Sequence, residues 1–275
     1  MQTAQQAAPE IDRLVWTVSR GVAPKHGQRL RGLAAPLELD SLDPFSSTAD
    51  FFLATAATAD LIARRMPYRP RDDVTARLAA LTGIGLIEER NGKLGATARV
   101  RPLLETMRGC ETDVATSAWT GHEDQMATVT TLARTVALAA PDDHVVAAVH
   151  RGLPSVTDPY LLLFDRLVTL RYIRQHDHVA AWQVHGLTAP GMVAMTALWQ
   201  GETVNADHEG VVSLAERGLA TVNPPDPVVL TAAGMSLRGE IEVDTNERAG
   251  RTFDVLDEGQ AAALLTGLRS LPGSG

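Results

Sequence analysis

Apolar residues recur at helical spacing along most of the chain, and the longest such stretch runs from Asp158 to Gly186. Asp158 can accept the first amide hydrogens of a helix, and Gly186 can adopt the left-handed conformation that ends one. About 27 residues lie between these signals, which at ~1.5 Å per residue predicts a helix about 40 Å long. Its apolar stripe, predicted to face the core, comprises Leu163, Leu167, Leu170, Ile173, Ala180, Ala181 and Val184.

A second stripe of this helix carries polar and amphipathic side chains at spacings of three, four, four and three residues, which places them on one side of the helix. The stripe comprises Arg171, Arg174, His178, Trp182 and His185. Two interpretations stay open. The stripe is either a solvated face whose arginines pair with neighbouring acids, or the lining of a ligand cleft, which the mixture of Trp and His favours.

The pattern predicts a mainly α fold with small β wings, in which two winged-helix units are joined by long helices. In the first unit a helix from Arg71 leads into two strands that turn at Asn91-Gly92, a strong hairpin signal. In the second, Thr188 caps a helix, a second helix ends at ERGLA, and TVNPPDPVVLT forms the wing. We expect N-terminal helices over 1–45, the first unit over 46–110, a helical connector over 111–186, the second unit over 187–250, and a C-terminal helix and tail over 251–275.

Several boundaries follow from prolines, glycines and polar runs. Residues 1 to 9 are predicted to be disordered, with a short helix after them and a second one starting after Pro24. Continuous helices are predicted over 49–65 and 112–139, the latter ended by Pro141 and followed by a loop to Pro154. The last four residues, PGSG, are predicted to fray.

Composition narrows the function classes. The chain has 275 residues, a formal net charge of -8 and a pI near 5.5, which is the wrong sign for a protein whose main partner is a phosphate backbone. The single cysteine, Cys110, excludes an internal disulfide and fits a reducing cytoplasm. No stretch has the apolar length of a membrane span, and the polar start is not a signal peptide. We therefore expect a cytoplasmic protein without a membrane partner.

Charge differs between the two units. From Gly186 to Gly250 three basic residues face nine acidic ones, and the second wing carries no Lys or Arg. From Thr48 to Arg108 ten basic residues face seven acidic ones. The arginines of this first unit either form an electrostatic footprint for nucleic acid or pair with Asp60, Asp72 and Asp73.

Two segments resemble a known family. The order of a long helix, GLTxP, ERGL, a wing and LTAAGxxLRxxIExxT looks like the MarR group of winged-helix regulators. More closely, LRYIRQHDHVAAW with GLTAPGMVAMTALW resembles the SalK-like family, actinobacterial tandem winged-helix proteins often encoded beside natural-product biosynthetic genes. The resemblance covers about residues 160 to 250. The first unit separately resembles the dimerisation domain of small-molecule O-methyltransferases, although no methyltransferase core follows it.

This resemblance implies candidate site residues. A family pattern of two arginines three residues apart and then a histidine falls on Arg171, Arg174 and His178. The sequence departs from the family at Asp165, Ile173 and Asp177, so the resemblance does not fix the substrate.

The residue types suggest acid/base chemistry. His178 is the candidate general acid or base, since imidazole titrates near neutral pH, and Arg174 one turn earlier can lower its pKa or hold an enolate oxygen. Arg171 offers a bidentate fork to a carboxylate or 1,3-dicarbonyl. An ordinary buried histidine is the alternative for His178 and for His122. The substrate-binding candidates are Trp182, Tyr160, His122, Asp165 and Tyr172.

No metal or other cofactor is expected from the sequence. His176 and His178 are two residues apart on a helix, so their side chains point about 200° from each other. No His-x-x-x-His pair or cysteine cluster is present.

The function hypothesis is a cofactor-independent enzyme of natural-product biosynthesis, of the lyase or isomerase type. It would catalyse cyclisation, dehydration or conjugate addition on a polyketide-like small molecule, as a homodimer that does not bind DNA. The alternative is a MarR-like, ligand-responsive regulator that binds DNA. The enzyme predicts an enclosed, largely apolar cavity reached by Arg171 and His178, whereas the regulator predicts a continuous positive surface.

Overall fold

The computed structural model describes residues 2–39, 41–42, 45–223 and 227–273. The fold is mainly helical with two small antiparallel strand pairs, which is the winged-helix architecture expected from the pattern. The N-terminal half comprises α1 (Gln2–Ala34), a 3-10 turn (Ala35–Leu37), α2 (Ala49–Leu53), α3 (Ala59–Arg65), α4 (Arg71–Gly83), β1 (Ile87–Arg90), β2 (Lys93–Ala96), α5 (Arg101–Trp119) and α6 (Glu123–Ala139). The C-terminal half comprises α7 (Val145–Arg151), α8 (Pro159–Val184), α9 (Ala189–Trp199), α10 (Glu209–Glu216), β3 (Ala220–Thr221), β4 (Val229–Leu230), α11 (Ala232–Phe253) and α12 (Glu258–Ser270).

The long helix α8 is the element against which most others pack, and its predicted ends are confirmed. The Asp158 carboxylate accepts the amide hydrogens of Tyr160 and Leu161, and Gly186 has a φ of 66°. Helices α1, α5, α6, α7 and α11 all contact α8. Side chains on different faces of α8 therefore reach five other helices.

The apolar stripe of α8 is buried along most of its length, with one correction at its end. Leu163, Leu167 and Ile173 are fully buried, whereas Val184 is 72 % exposed. The cause is a change of partner, since the end of α8 leaves the larger core and inserts Ala181 and Trp182 into the core of the second unit instead.

The N-terminal segment differs from the prediction. Residues 2–9 are helical, and α1 continues without a break through Pro9 and Pro24. A proline in a helix removes one hydrogen bond and crowds the preceding turn, but burial of Ile11, Leu14 and Leu30 against neighbouring helices outweighs that cost.

Three further boundaries are corrected. The predicted helix over 49–65 is split into α2 and α3, because Ala57 pairs with Leu94 beside the first wing. The predicted helix over 112–139 is split at Gly121, which has a φ of 89°. The predicted loop before Pro154 contains α7.

The last residues described are also more ordered than predicted. The indole Nε1 of Trp119 donates a hydrogen bond to the Pro272 carbonyl oxygen at 3.1 Å. Residues 274 and 275 of the predicted frayed end lie outside the described residues.

Both wings form where the pattern placed them. Strand β1 pairs with β2, and Asn91 and Gly92 both have positive φ, as the hairpin signal predicts. Strand β3 pairs with β4, while part of the turn predicted over 223–227 lies outside the described residues. Thr188 caps α9 as predicted. The five-segment division of the chain stays a prediction.

The described ranges contain no helix with both the length and the apolar character needed to cross a lipid bilayer.

Close backbone contacts hold the second unit together and lead to a prediction about stability. A Cβ atom at Gly234 would lie 2.1 Å from the Leu219 carbonyl oxygen, whereas a Cβ at Gly239 of the same helix meets nothing within 4 Å. We expect Gly234→Ala to lower the free energy of unfolding by roughly 1–3 kcal/mol through overpacking. Gly239→Ala should raise it by about 0.5–1 kcal/mol through helix propensity. Urea denaturation of both variants checks this, and equal effects would contradict it.

Candidate functional site

A partly open cavity of about 470 Å³ lies between α1, α2, α5 and the middle of α8. Its volume is within the range of pockets that bind small organic molecules, roughly 300–1,000 Å³. Its wall exposes more apolar than polar surface, as expected from the sequence, but the cavity is only partly enclosed, His178 does not line it, and many ionisable groups do. They include Asp50, Arg65, Arg108, Glu111, His150, Asp165, Arg171 and Tyr172, beside the aromatic rings of Trp16 and Tyr68.

The guanidinium group of Arg108 joins two carboxylates in this wall. It donates to Glu111 at 2.5 Å and, through its other terminal nitrogen, to both carboxylate oxygens of Asp165 at 2.6 and 2.8 Å. Burial disfavours the charged guanidinium, but the surrounding carboxylates outweigh it and raise the pKa of Arg108. Arg108 is therefore a fixed positive charge in the cavity, and Asp165 serves as its anchor.

Glu111 has a carboxyl group whose pKa is raised by its surroundings in the cavity. Burial raises its pKa, Arg108 lowers it, and the nearby negative charges of Asp50 and Asp165 raise it again, which together give a pKa of about 7. Such a carboxyl is partly protonated at neutral pH. It can therefore accept or donate a proton, as a general base or acid must.

A second polar contact in the wall joins Asp50 and His150. The Thr169 hydroxyl donates to the Asp165 carbonyl oxygen at 2.9 Å, so it accepts from Nδ1 of His150, which lies 2.8 Å away. Nε2 of His150 is 3.0 Å from Asp50. Burial opposes ionisation of Asp50, but the hydrogen bond and charge of His150 lower the pKa of Asp50 below its usual value. His150 thus links Asp50 to Thr169 through its two ring nitrogens.

Aromatic side chains and arginines complete the cavity wall. Tyr172 is buried and its ring is covered by the guanidinium of Arg65, 4.5 Å from the ring centre. Burial raises the pKa of Tyr172 to about 12, so its phenol stays neutral. Arg171 donates through Nε to Asp12 at 2.8 Å and lies 4.2 Å over the ring of Trp16. This wall suits a flat, electron-rich ligand.

His178 lies beside this cavity and not in its wall. It lines a separate hollow of about 100 Å³ together with Asp12, Tyr68 and Arg171. The Thr245 hydroxyl donates to the Ile241 carbonyl oxygen, so it accepts from Nδ1 of His178 at 3.0 Å. The lone pair is therefore on Nε2.

The charge environment keeps His178 neutral. Burial and the positive charges of Arg174 and Arg238 outweigh Glu242 and lower the pKa of His178 to about 4. Arg174 itself donates to Glu242 at 2.5 Å, and Arg238 donates to the other oxygen of that carboxylate at 3.0 Å. Arg171 and Arg174 of the predicted stripe thus pair with Asp12 and Glu242, as the first interpretation of that stripe expected, but the stripe is not a solvated face, because His178 and Trp182 are buried.

Three other sequence candidates lie elsewhere. Trp182 packs in the core of the second unit and borders another hollow, of about 360 Å³. Tyr160 is 18 residues before His178 on α8, or about 27 Å along the helix, and its hydroxyl donates to Glu123 at 2.7 Å. His122 is at the start of α6, next to Glu123. The predicted set is thus divided, and the cavity contains Arg171, Asp165 and Tyr172.

Sequence reasoning missed Asp50, Arg108, Glu111 and His150. Asp50 and His150 are 100 positions apart and meet only in the folded chain. Arg108 and Glu111 form an Arg-x-x-Glu pair, but this pattern is common on solvated helices. This pair differs from a solvated one because Asp50 and Asp165 lie next to it in the folded chain. Those two residues belong to other elements, so the sequence around Arg108 does not reveal them.

Several arginines of the helix-turn-helix elements that could contact a phosphate backbone have partners within the fold instead. Arg217, at the end of α10, donates to the carbonyl oxygens of His185 and Gly186. In the first unit Arg64 and Arg71 both pair with Asp60, which confirms the expected pairing for that acid. These side chains are already used within the fold.

Three residues of the types that bind metal ions lie close together outside the cavity. Ligand atoms of Asp143, His144 and His176 lie within 4.8 Å of one another. The sequence pattern did not indicate this group, because its members come from two separate elements.

Comparison with known proteins matches residues 93–272 to a helix-turn-helix family, which is more than half of the chain. Neither the curated proteins nor the solved structures include a match. The matched region contains Arg108, Glu111, His150, Asp165 and Arg171 of the cavity wall.

The raised pKa of Glu111 predicts how stability changes with pH. Because the folded-state pKa of about 7 lies above the ordinary value of 4.5, folding is favoured by the protonated form, and stability falls as pH rises from 4.5 to 7. Glu111→Gln removes this dependence. Between pH 4.5 and 7 the unfolding free energy of the wild type should therefore fall, relative to that of Glu111→Gln, by on the order of 1–3 kcal/mol.

Denaturant unfolding at a series of pH values measures this difference. Glu105→Gln, an exposed position on the same helix, is the control and should show no such trend. A difference between Glu111→Gln and wild type that does not change with pH would contradict the assigned pKa.

Proposed function

We propose that this chain, which belongs to a helix-turn-helix family, binds a small organic molecule in the 470 Å³ cavity. It performs cofactor-independent acid/base chemistry on that molecule. The observation that supports this most is the carboxyl group of Glu111, which has a pKa of about 7 and lies in a cavity of ligand size beside a fixed positive charge. A carboxyl whose pKa is shifted by burial and by a specific charge partner inside a cleft marks a candidate functional site.

The reaction class follows from these groups. The Glu111 carboxylate removes a proton from a carbon next to a carbonyl group, and the electron pair of that C–H bond moves onto the carbonyl oxygen as an enolate. Arg171 uses Nε for Asp12, so its terminal N–H groups are available to stabilise this oxygen. The enolate carbon attacks a second carbonyl of the same substrate, and the resulting alkoxide takes the proton back from Glu111.

This assignment changes the roles inferred from the sequence. Glu111 takes the acid/base role first given to His178, because an imidazole with a pKa of about 4 is a weak base at neutral pH. Arg171 keeps its anion-binding role, Asp165 orients Arg108, and Tyr172 forms part of the wall. Arg174 instead holds Glu242, and Trp182, Tyr160 and His122 have no contact with the substrate in this proposal.

The substrate class rests on the cavity wall and on the resemblance of residues 160 to 250 to SalK-like proteins. Aromatic rings covered by guanidinium groups suit a flat molecule with several carbonyl or phenol oxygens. A polyketide-like chain or ring has these features, and aldol cyclisation, dehydration of a β-hydroxy carbonyl compound and conjugate addition all pass through an enolate. The homodimer and the cytoplasmic location stay predictions.

The alternative function is a ligand-responsive regulator, which the family itself favours. In that case the cavity would bind an effector, and α4 or α10 would enter the DNA major groove. Affinity for DNA comes largely from phosphate contacts. The described arginines at α10 and near α4 that pair internally argue against this alternative.

A model polyketide tests the enzyme hypothesis. The protein should accelerate aldol cyclisation of the N-acetylcysteamine thioester of 3,5,7-trioxooctanoic acid, in which carbon 2 attacks the carbon 7 ketone, above the spontaneous rate, as followed by liquid chromatography. Glu111→Gln should reduce this acceleration by about 10²–10⁴-fold, the usual contribution of general acid/base catalysis, and change substrate affinity much less. Glu105→Gln should match the wild type. Equal rates for Glu111→Gln and wild type would rule out the proposed role of Glu111.

DNA binding is tested separately by fluorescence anisotropy with labelled duplexes, including the region upstream of the protein's own gene. At physiological salt we expect no saturable, sequence-selective binding, with or without the model thioester. Selective, salt-dependent binding would support the regulator instead.

A further inference from the structure

The α6–α7 connection and α8 bring together two imidazoles and a carboxylate. Asp143 and His144 precede α7, and His176 is on α8. One ligand atom from each lies within 4.8 Å of the other two, with Asp143 exposed, His144 buried and His176 half-buried. The three residues are therefore close enough to bind one ion, and the site is accessible from solvent through Asp143.

His144 is oriented as in protein metal sites. Its Nε2 lies 3.2 Å from Oδ1 of Asp177, whose side chain is only 8 % exposed. A carboxylate in this position makes Nε2 the donor, which leaves Nδ1 as the atom facing Asp143 at 3.1 Å. A metal-ligating histidine commonly donates its other ring N–H to a carboxylate, which fixes the ring and increases its basicity.

The carboxylate of Asp177 is only partly satisfied by hydrogen bonds. Its second oxygen, Oδ2, is buried and has no hydrogen-bond partner among the described residues. A buried carboxylate oxygen without a partner is costly. A nearby divalent cation would compensate this charge, which is a second observation in favour of an ion.

His176 is placed to complete the site. The ring centres of His144 and His176 are 4.2 Å apart, with an angle of 32° between the ring planes. Two imidazoles that bind one metal through nitrogens at about 2.0–2.1 Å have their ring centres roughly 4.5–5 Å apart. The observed separation is a few tenths of an ångström shorter, so metal binding would move the two rings slightly apart.

We propose that Asp143, His144 and His176 form a binding site for a divalent transition metal, with Zn²⁺ as the reference ion, and that Asp177 positions His144. Two imidazoles and one carboxylate suit Zn²⁺, Co²⁺ or Ni²⁺, whereas Mg²⁺ and Ca²⁺ prefer oxygen ligands. Binding displaces any proton on Nδ1 of His144 to solvent, and water fills the remaining coordination positions.

The position of this site gives it a role distinct from the acid/base cavity. His176 also lines the 360 Å³ hollow next to α3 and α8, which contains Arg64 and Gln175. A metal at this edge would connect the α6–α7 segment to α8. We therefore expect the ion to stabilise the fold, independently of Glu111.

Isothermal titration calorimetry of the untagged, chelator-treated protein with ZnCl₂ tests the proposal. We expect one ion per chain with micromolar or tighter affinity. Asp143→Asn and His176→Ala should each weaken binding at least tenfold, and Asp177→Asn should weaken it by about 10–100-fold, as for other residues that orient a ligand. His185→Ala, a histidine at the end of the same helix α8, is the control and should bind as the wild type does.

Two further readouts identify the ligands. Zn²⁺ should raise the melting temperature of the wild type and of His185→Ala, but not of His176→Ala. Co²⁺ bound in place of Zn²⁺ should give a visible absorption spectrum that is lost in Asp143→Asn. Absence of binding, or equal binding by wild type and by both ligand variants, would overturn the proposal. Because Asp143 is exposed and His176 half-buried, their replacement should leave the chain folded, which circular dichroism checks.

Discussion

The burial of Arg108 between α5 and α8 is the interaction on which the cavity depends. A buried guanidinium requires negative partners, and here Glu111 and Asp165 contact it directly while Asp50 lies close enough to affect it. Arg108 thus faces three carboxyl groups. Three ionised carboxylates would leave an excess of negative charge in a partly dehydrated cavity. The hydrogen bond from His150 lowers the pKa of Asp50, whereas burial and the negative charges of Asp50 and Asp165 raise the pKa of Glu111, so Glu111 is the carboxyl that keeps a proton.

The same principle applies to the arginines outside the cavity. Most of the described arginines are used to compensate buried or nearby carboxylates. Arg174 and Arg238 share Glu242, and Arg64 and Arg71 share Asp60. Reading DNA requires arginines free to contact phosphate. In this chain the long helix α8, which contacts both cores, instead carries charged side chains into the interior.

The sequence predicted the fold where local signals dominate. Asp158, Asn91-Gly92 and Thr188 mark element ends through their own backbone preferences, and the structure confirms all three. It failed where distant packing decides, as at Pro9 and Pro24, which remain inside α1 because that helix is buried along one face. For the site, helical spacing placed Arg171 and His178 on one side of α8. It could not show that another element, α11, closes over His178 through Thr245. Asp50 meets His150 across 100 positions, and Asp50 and Asp165 from other elements raise the pKa of Glu111, so the surroundings of these groups appear only in the folded chain.

Proton exchange by Glu111 at neutral pH, inside a cavity of ligand size, is most directly measured by an NMR titration of the side-chain carboxyl carbons in protein labelled with ¹³C-glutamate. Glu111→Gln assigns the resonance of Glu111. We expect this resonance to titrate with a pKa of about 7, well above those of the exposed glutamates. A resonance for Glu111 that titrates with those of the exposed glutamates would contradict it.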